Sequence, residues 1–409
     1  MNFKKLVCGV LTAGLLTVPA QAAGFTDTGD HWAGSAIDRW SGHGVIGGYE
    51  DGRFGPNDPI TRGQLAVILD QLFGWSERPA QSPFQDVAGD EWYAGAVLRA
   101  YAAGAMSGDG VNARPNDPIT RQEAAVMLAG ALSLHADRAG VAFTDGDQIA
   151  AWAKAAVDTM SALGVVSGAD GGQFQPGRSI SRGETMVILD QAVAGYYDRA
   201  GVYTQNETGA VTIIAAPGVT LRGVTIEGDL LVAPGAQGSE TILNGVTVTG
   251  TLMVASGREA QVLVTGDSRL EAVEVSGEDA RLQFGGDAQV GSLTVSGSGA
   301  HIRGLDEDLE VTVAEGAQDV LVNGHEVRPG TAPAGEDVSS DSDDLEIEID
   351  VSDGNHSSGG GSHRPGGSGG SERPDEPDEP QEPEEDDGIR DEDEYGGNSI
   401  SFDDLLGLG

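Results

Sequence analysis

Ile60-Thr61-Arg62-Gly63-Gln64, Ile119-Thr120-Arg121-Gln122-Glu123 and Ile180-Ser181-Arg182-Gly183-Glu184 are one five-residue pattern written three times in the first half of the chain. Upstream of each stands a Phe-x-Asp triplet: Phe25 to Asp27, Phe84 to Asp86 and Phe143 to Asp145. A tryptophan follows (Trp32, Trp92, Trp152), then a glycine (Gly44, Gly104, Gly164), both recurring every 60 residues. A fixed period with matching residues at each landmark identifies a structural repeat.

Each copy reads as two helices joined by a loop. In the first, Trp32, Ala36, Ile37 and Trp40 share a helical face, which makes Trp32 a core anchor, and Gly44 supplies the stop. Trp92 with Ala96, Val97 and Ala100, and Trp152 with Ala156, Val157 and Met160, repeat that face. Turn-forming residues such as Pro56-Asn57-Asp58-Pro59 and Pro115-Asn116-Asp117-Pro118 fill the loops. The second helix opens on a capping box, with Thr61, Thr120 or Ser181 as cap and Gln64, Glu123 or Glu184 reaching back. Capping leaves the arginine unexplained, because a cation in the first turn faces the positive end of the helix dipole. On residues alone two readings of it stand. Either it joins free N–H groups of the helix start in a carboxylate or phosphate site, or it pairs with a neighbouring aspartate and holds no ligand.

With these landmarks matched in every copy, residues 24–200 resemble the S-layer homology (SLH) family. The resemblance implies an all-α pseudo-threefold unit of three helix-loop-helix repeats, at 24–80, 81–140 and 141–200. Its grooves would bind acidic, pyruvylated secondary cell-wall polysaccharide, with Arg62, Arg121 and Arg182 gripping the pyruvyl group. Asp27, Asp86 and Asp145, then Gly48, Gly108 and Gly168, then Trp32, Trp92 and Trp152 are the further glycan-site candidates. For the aspartates the competing role is helix capping, and for the tryptophans it is packing, which is favoured over a sugar platform. Departures from the family pattern are specific. Gln64 keeps the capping but removes a charge, and Gln122 replaces a small residue. Loop Val111-Asn112-Ala113-Arg114 lacks the aromatic that Phe54 and Phe174 provide, so the second groove, assigned to Arg121, is expected to be weakest.

The chain opens with Lys4-Lys5, an apolar run from Leu6 to Val18 and Ala20-Gln21-Ala22, which reads as a secretory signal peptide over residues 1–23. The single cysteine, Cys8, would leave with it, so the mature chain is expected to have no disulfide or thiol chemistry. No later run is long enough to span a membrane. The formal charge of −42 excludes general affinity for nucleic acid, which needs a basic surface.

After an expected linker at 201–210, residues 211–328 change texture. Gly223-Val224-Thr225-Ile226-Glu227-Gly228-Asp229-Leu230-Leu231-Val232 and Gly245-Val246-Thr247-Val248-Thr249-Gly250-Thr251-Leu252-Met253-Val254 set the pattern, and shorter runs follow at Ala272 to Gly277 and Ser292 to Gly297. Alternating apolar and polar residues indicate half-buried strands. Their recurrence about every 20 residues indicates an all-β solenoid of about six turns, with a β-sandwich as the rival. The solenoid acids scatter over turns, and His301 and His325 have no partner at metal-ligand or triad spacing, so they read as a solvated face. Residues 329–409 form a Gly/Ser- and Pro/Glu-rich stretch; 331–409 alone hold 25 acidic and 3 basic side chains, a composition expected to be disordered and, at Asp341 to Asp353, at most a loose calcium binder.

These features together read as an exported, non-enzymatic surface protein, needing no cofactor, that is held to the wall by its SLH modules and displays the solenoid. The alternatives are a wall-attached carbohydrate-active enzyme with a β-helical catalytic domain, or an adhesin.

Overall fold

The structure, a computed structural model, describes residues 24–136, 138–257 and 260–329. The expected signal peptide and nearly all of the acidic stretch lie outside the described residues.

Each repeat holds a first and a second helix: α1 (Gly34–Gly42) with α2 (Arg62–Phe73), α3 (Ala94–Ala102) with α4 (Arg121–Ala131), and α5 (Ala151–Ala162) with α6 (Arg182–Ala192). Gly44, Gly104 and Gly164 follow the first helices in the left-handed conformation, at φ 72°, 72° and 75°, and end them as expected. The second helices begin with complete capping boxes on Thr61, Thr120 and Ser181.

The repeats exchange partners in a ring. Helix α2 packs on α3, α4 on α5, and α6 returns to α1. At the centre the motif isoleucines, all fully buried, close a cycle of backbone hydrogen bonds. Ile60 N–H donates to Ile180 O (3.1 Å), Ile180 to Ile119 O (3.1 Å) and Ile119 to Ile60 O (3.0 Å). No repeat satisfies its own central backbone, so the three form one unit. Two of the three helix seams add an ion pair at matching positions. Arg99 of α3 grips Asp70 of α2 with bonds of 2.7 and 2.5 Å, and Arg39 of α1 reaches Asp190 of α6 at 2.8 Å. At the α4–α5 seam both charges are gone together, replaced by Ala129 and Thr159.

The linker expected at 201–210 does not exist. Helix α6 runs directly into a strand at Val193–Tyr197, and Gly201–Tyr203 and Glu207–Ile214 are strands as well. The end of the expected third repeat and the expected linker instead pair in register with later coils, as Val193↔Val211 and Val202↔Thr220. The apolar core is continuous across the junction, because Val193, Val211, Ile213, Leu231 and Met253 belong to the same cluster as the helices.

From there the chain winds as a solenoid of about six turns. One parallel sheet stacks Val193–Tyr197, Glu207–Ile214, Thr225–Val232, Thr247–Val254, Arg269–Val275, Gln289–Val295 and Val311–Val313. The second stacks seven strands from Gly201–Tyr203 to Leu321–Val322 and closes with His325–Glu326 as its eighth. Apart from that last antiparallel hairpin, the described strands of the solenoid pair in parallel, which removes the sandwich. Identical positions stack into columns, such as Leu230, Leu252, Val273, Leu293 and Val311 beside Val232, Val254, Val275, Val295 and Val313. Both columns are buried between the sheets, which is why the sequence repeats coil by coil.

Candidate functional site

The N-terminus of each second helix sits at a seam, because the loop of the next repeat covers it. In α2, Thr61 N–H donates to Gln64 Oε1 (3.0 Å), Arg62 N–H to Asp117 O (3.1 Å), Gly63 N–H to Pro115 O (2.8 Å) and Gln64 N–H to Thr61 Oγ1 (3.2 Å). The same arrangement recurs in α4, with Arg178 O and Pro176 O as acceptors, and in α6, with Asp58 O and Pro56 O. The free N–H groups expected to cradle an anion are therefore all engaged. Carbonyls of the neighbouring loop occupy the positive end of each helix dipole instead.

The motif arginines extend from these seams and are 4 to 6 % exposed. Each crosses into the next repeat. Arg62 Nε donates to Ala113 O (2.9 Å), its Nη2 to Ser107 O (2.5 Å), and its Nη1 lies 3.4 Å from Glu123 Oε1. Arg121 Nε donates to Phe174 O (2.8 Å), its guanidinium lies 5.0 Å from the Phe174 ring, and its Nη1 is 3.5 Å from Glu184 Oε1. Arg182 Nε donates to Phe54 O (2.9 Å) and its Nη2 to Gly47 O (2.9 Å), beneath the rings of Phe54 and Tyr49. This corrects the assignment of the aromatic-free second loop to Arg121. That loop meets Arg62, whereas Arg121 lies on Phe174. Tandem copies give the same local sequence whether an arginine folds onto its own loop or its neighbour's.

Arg62 and Arg121 sit beside the acid at the third position of the next repeat's second helix. Glu123 also accepts from Arg114 (2.7 Å) and Glu184 from Arg178 (3.0 and 2.5 Å), partners that sequence reasoning missed because they occupy no shared motif position. Burial acts most strongly on both carboxyls and pulls them up. The Thr120 N–H and hydroxyl with Arg114, and Arg178 with the Ser181 N–H, outweigh it and hold them below the usual range. Burial lowers the three motif guanidiniums, which nonetheless stay charged.

The early aspartates cap the loops rather than the helices. Asp27 accepts from Phe54 and Gly55 N–H (2.7 and 2.9 Å), Asp86 from Ala113 and Arg114 (both 2.8 Å), and Asp145 from Phe174 and Gln175 (2.7 and 2.8 Å). These bonds hold the residues whose carbonyls receive the arginines. The loop glycines have steric reasons. A methyl group at Gly48 would lie 2.5 Å from Arg53 O and from the Phe25 ring, and one at Gly108 would strike Asn112 O.

Trp92 and Trp152, 66 and 59 % exposed, depart from their expected packing role, whereas Trp32 is half-buried and packs against the helical core; the fully buried indole is Trp40. The reason is local: α1 and α3 begin at Gly34 and Ala94, after Trp32 and Trp92, and Trp152 stands in the first turn of α5. Each tryptophan nevertheless stands at a seam. Tyr93 Cβ lies 3.3 Å from where a side chain on Gly63 would start, and Ala33 Cβ 3.3 Å from the same point on Gly183. Gln122, at the equivalent position, accepts from Ala150 N–H (3.0 Å). Thus the residues beside Trp92 and Trp32, and Ala150 two before Trp152, pack against the helix starts that carry Arg62, Arg182 and Arg121.

Among the described residues, no helix is long and apolar enough to cross a membrane. The S-layer homology domain model matches residues 24–66, 83–125 and 142–186. The S-layer protein of Bacillus licheniformis is 30% identical over 254 residues, 57% of this chain and 28% of that protein. S-layer protein EA1 of Bacillus anthracis is 30% identical over 253 residues, 57% of this chain and 29% of that protein. The amylopullulanase of Thermoanaerobacterium thermosulfurigenes is 31% identical over 170 residues, 40% of this chain and 9% of that enzyme. The chain thus spans less than a third of the length of these relatives. Three tandem S-layer homology domains make this chain a cell-surface protein with a wall-anchoring unit at residues 24–186.

Proposed function

We propose that the seams hold an acidic, pyruvylated secondary cell-wall polysaccharide, and that the solenoid is a non-catalytic body displayed from that anchor. The observation that carries this reading is that each seam buries a motif arginine at a helix start against which a residue next to, or two before, a tryptophan packs, two of those three tryptophans being exposed. A sugar ring can lie on an indole face while its acidic substituent meets the guanidinium. The arginines also fasten each repeat to the next, so truncating them confounds folding with binding. Trp92 and Trp152 are free of that problem. A Trp92→Ala/Trp152→Ala variant should keep its helical circular dichroism and lose retention on isolated pyruvylated walls in a sedimentation assay. Retention equal to the unaltered protein would refute the seams as glycan sites.

A further inference from the structure

The two outer faces of the solenoid differ in what they meet. On the first sheet the outward column Tyr196, Ile213, Leu231 and Met253 packs into the core of the helical unit. On the second sheet the outward positions are exposed or half-buried, and they carry an unusual set of cations. Six arginines of the solenoid are described. Three are engaged: Arg199 with Asp198 (3.8 Å), Arg269 with Asp267 O (3.3 Å) and Arg328 with Glu326 (2.8 Å). The side chains of the others, Arg222, Arg281 and Arg303, make no hydrogen bond or ion pair among the described residues. All three are exposed and point out of the second sheet, because their strand neighbours Leu221, Leu282 and Ile302 are buried between the sheets. Acids outnumber bases 65 to 23 in this chain, so cations without an acid beside them are not the default, and here they gather on one face.

Register sets their spacing. Arg281 pairs with His301 and Arg303 follows two residues on, which puts the two stems about 8 Å apart. Arg222 lies three rungs back from Arg281, about 14 Å along the axis. Between them stand the half-buried Ile242 and Leu263, flanked by the amides of Asn244, Gln261 and Gln283. Glu240 is the single acid on the strands from Val219–Arg222 to His301–Arg303. Further acids bound the face at one corner, where Glu278, Asp279 and Asp319 line a hollow of about 350 Å³ with His301. The face is the middle of a parallel sheet whose backbone groups bond within the ladder, so an acidic peptide finds no strand edge to extend. Cations at fixed rungs, amides for hydroxyl groups and an apolar strip for the C–H face of a sugar ring match a linear anionic polysaccharide lying along the axis.

We infer that the outer face of the second sheet is a polymer-binding face, separate from the seams, at which Arg222, Arg281 and Arg303 take the carboxylates or phosphodiesters of an anionic polysaccharide. Fluorescence anisotropy with labelled oligogalacturonate, phosphomannan and dextran tests it, using the full-length Trp92→Ala/Trp152→Ala chain so that the seams are disabled. One or both anionic polymers should bind, the tighter one identifying the preferred acid, and neutral dextran should not. Affinity should fall as salt is added. Adding Arg222→Gln, Arg281→Gln and Arg303→Gln together should weaken binding about tenfold, the effect of losing three exposed charge contacts. Equal binding by that variant with unchanged circular dichroism, or equal binding of dextran, overturns the inference. Failure of both anionic polymers to bind overturns it too, as does sedimentation showing that the three arginines instead hold a second copy of this chain.

Discussion

The Tyr196 hydroxyl donates to the carbonyl of Leu72 at 3.0 Å, tying the first solenoid strand to the last turn of α2 across 124 positions of sequence. Burial raises this phenol well above its usual ionisation range, so it remains a donor at any physiological pH. Gly235 N–H adds a bond to Phe73 O at 2.8 Å, and the Tyr196 ring lies edge-on to Trp40 at 5.4 Å. Anchor and solenoid therefore share a core as well as a chain. Residues 24–328 should melt in a single calorimetric transition, and Tyr196→Phe should cost about 1–2 kcal/mol by leaving a buried carbonyl without its donor. Two separate transitions in the unaltered protein would show that the halves are independent.

The Asp70–Arg99 pair fixes the seam between α2 and α3, with Asp70 nearly buried and Arg99 27% exposed on its side chain. Asp70→Ala should destabilise by about 1–3 kcal/mol, less than a fully buried pair because water screens the arginine. The α4–α5 seam already lacks this pair, so the double change Asp70→Ala/Arg99→Thr, which copies Ala129 and Thr159, should recover part of the loss. Urea denaturation of the single and double variants measures both terms.

Glu123 and Glu184 ionise more readily in the fold than in the open chain. The folded state therefore binds fewer protons, and stability rises with pH across their titration. Their contribution is fully present above the ordinary carboxyl value of 4.5 and is lost as pH falls through the lower folded values. Thermal midpoints recorded downward from pH 6 should decline below that point, and Glu184→Gln, which can still cap as Gln64 does, should flatten the decline. An unaltered pH profile in that variant would contradict the assignment.

Gly108 is required by the approach of Asn112 O and the Phe84 ring rather than by an unusual φ. Gly108→Ala should therefore cost about 2 kcal/mol or more by forcing the second loop open. Gly130, in the last turn of α4 with open space around its Cα, should accept alanine with a small gain. Comparing the two melting shifts separates steric need from helix propensity.

Much of the fold was legible because its signals are local. The capping boxes on Thr61, Thr120 and Ser181 follow from residues three apart, and the columns through Leu230 and Leu252 follow from coil-length recurrence. Non-local partners were not legible. Arg62 meets Ala113 and Arg182 meets Phe54 across 51 and 128 positions, and equal repeats make the neighbour's loop look like one's own. The exposure of Trp92 was hidden because its spacing to Ala96 mimics a helical face although the helix has not yet begun. The strand at Val193–Tyr197 was missed because the third helical repeat was expected to run to residue 200, whereas its burial alternates as a strand's should.

Wall retention bears most directly on the central claim that the anchor recognises the acidic substituent of the wall glycan. The full chain should co-sediment with isolated pyruvylated walls at physiological salt and stay in solution once the pyruvyl groups have been removed, the walls being otherwise unchanged. Equal co-sedimentation with both preparations would contradict the account.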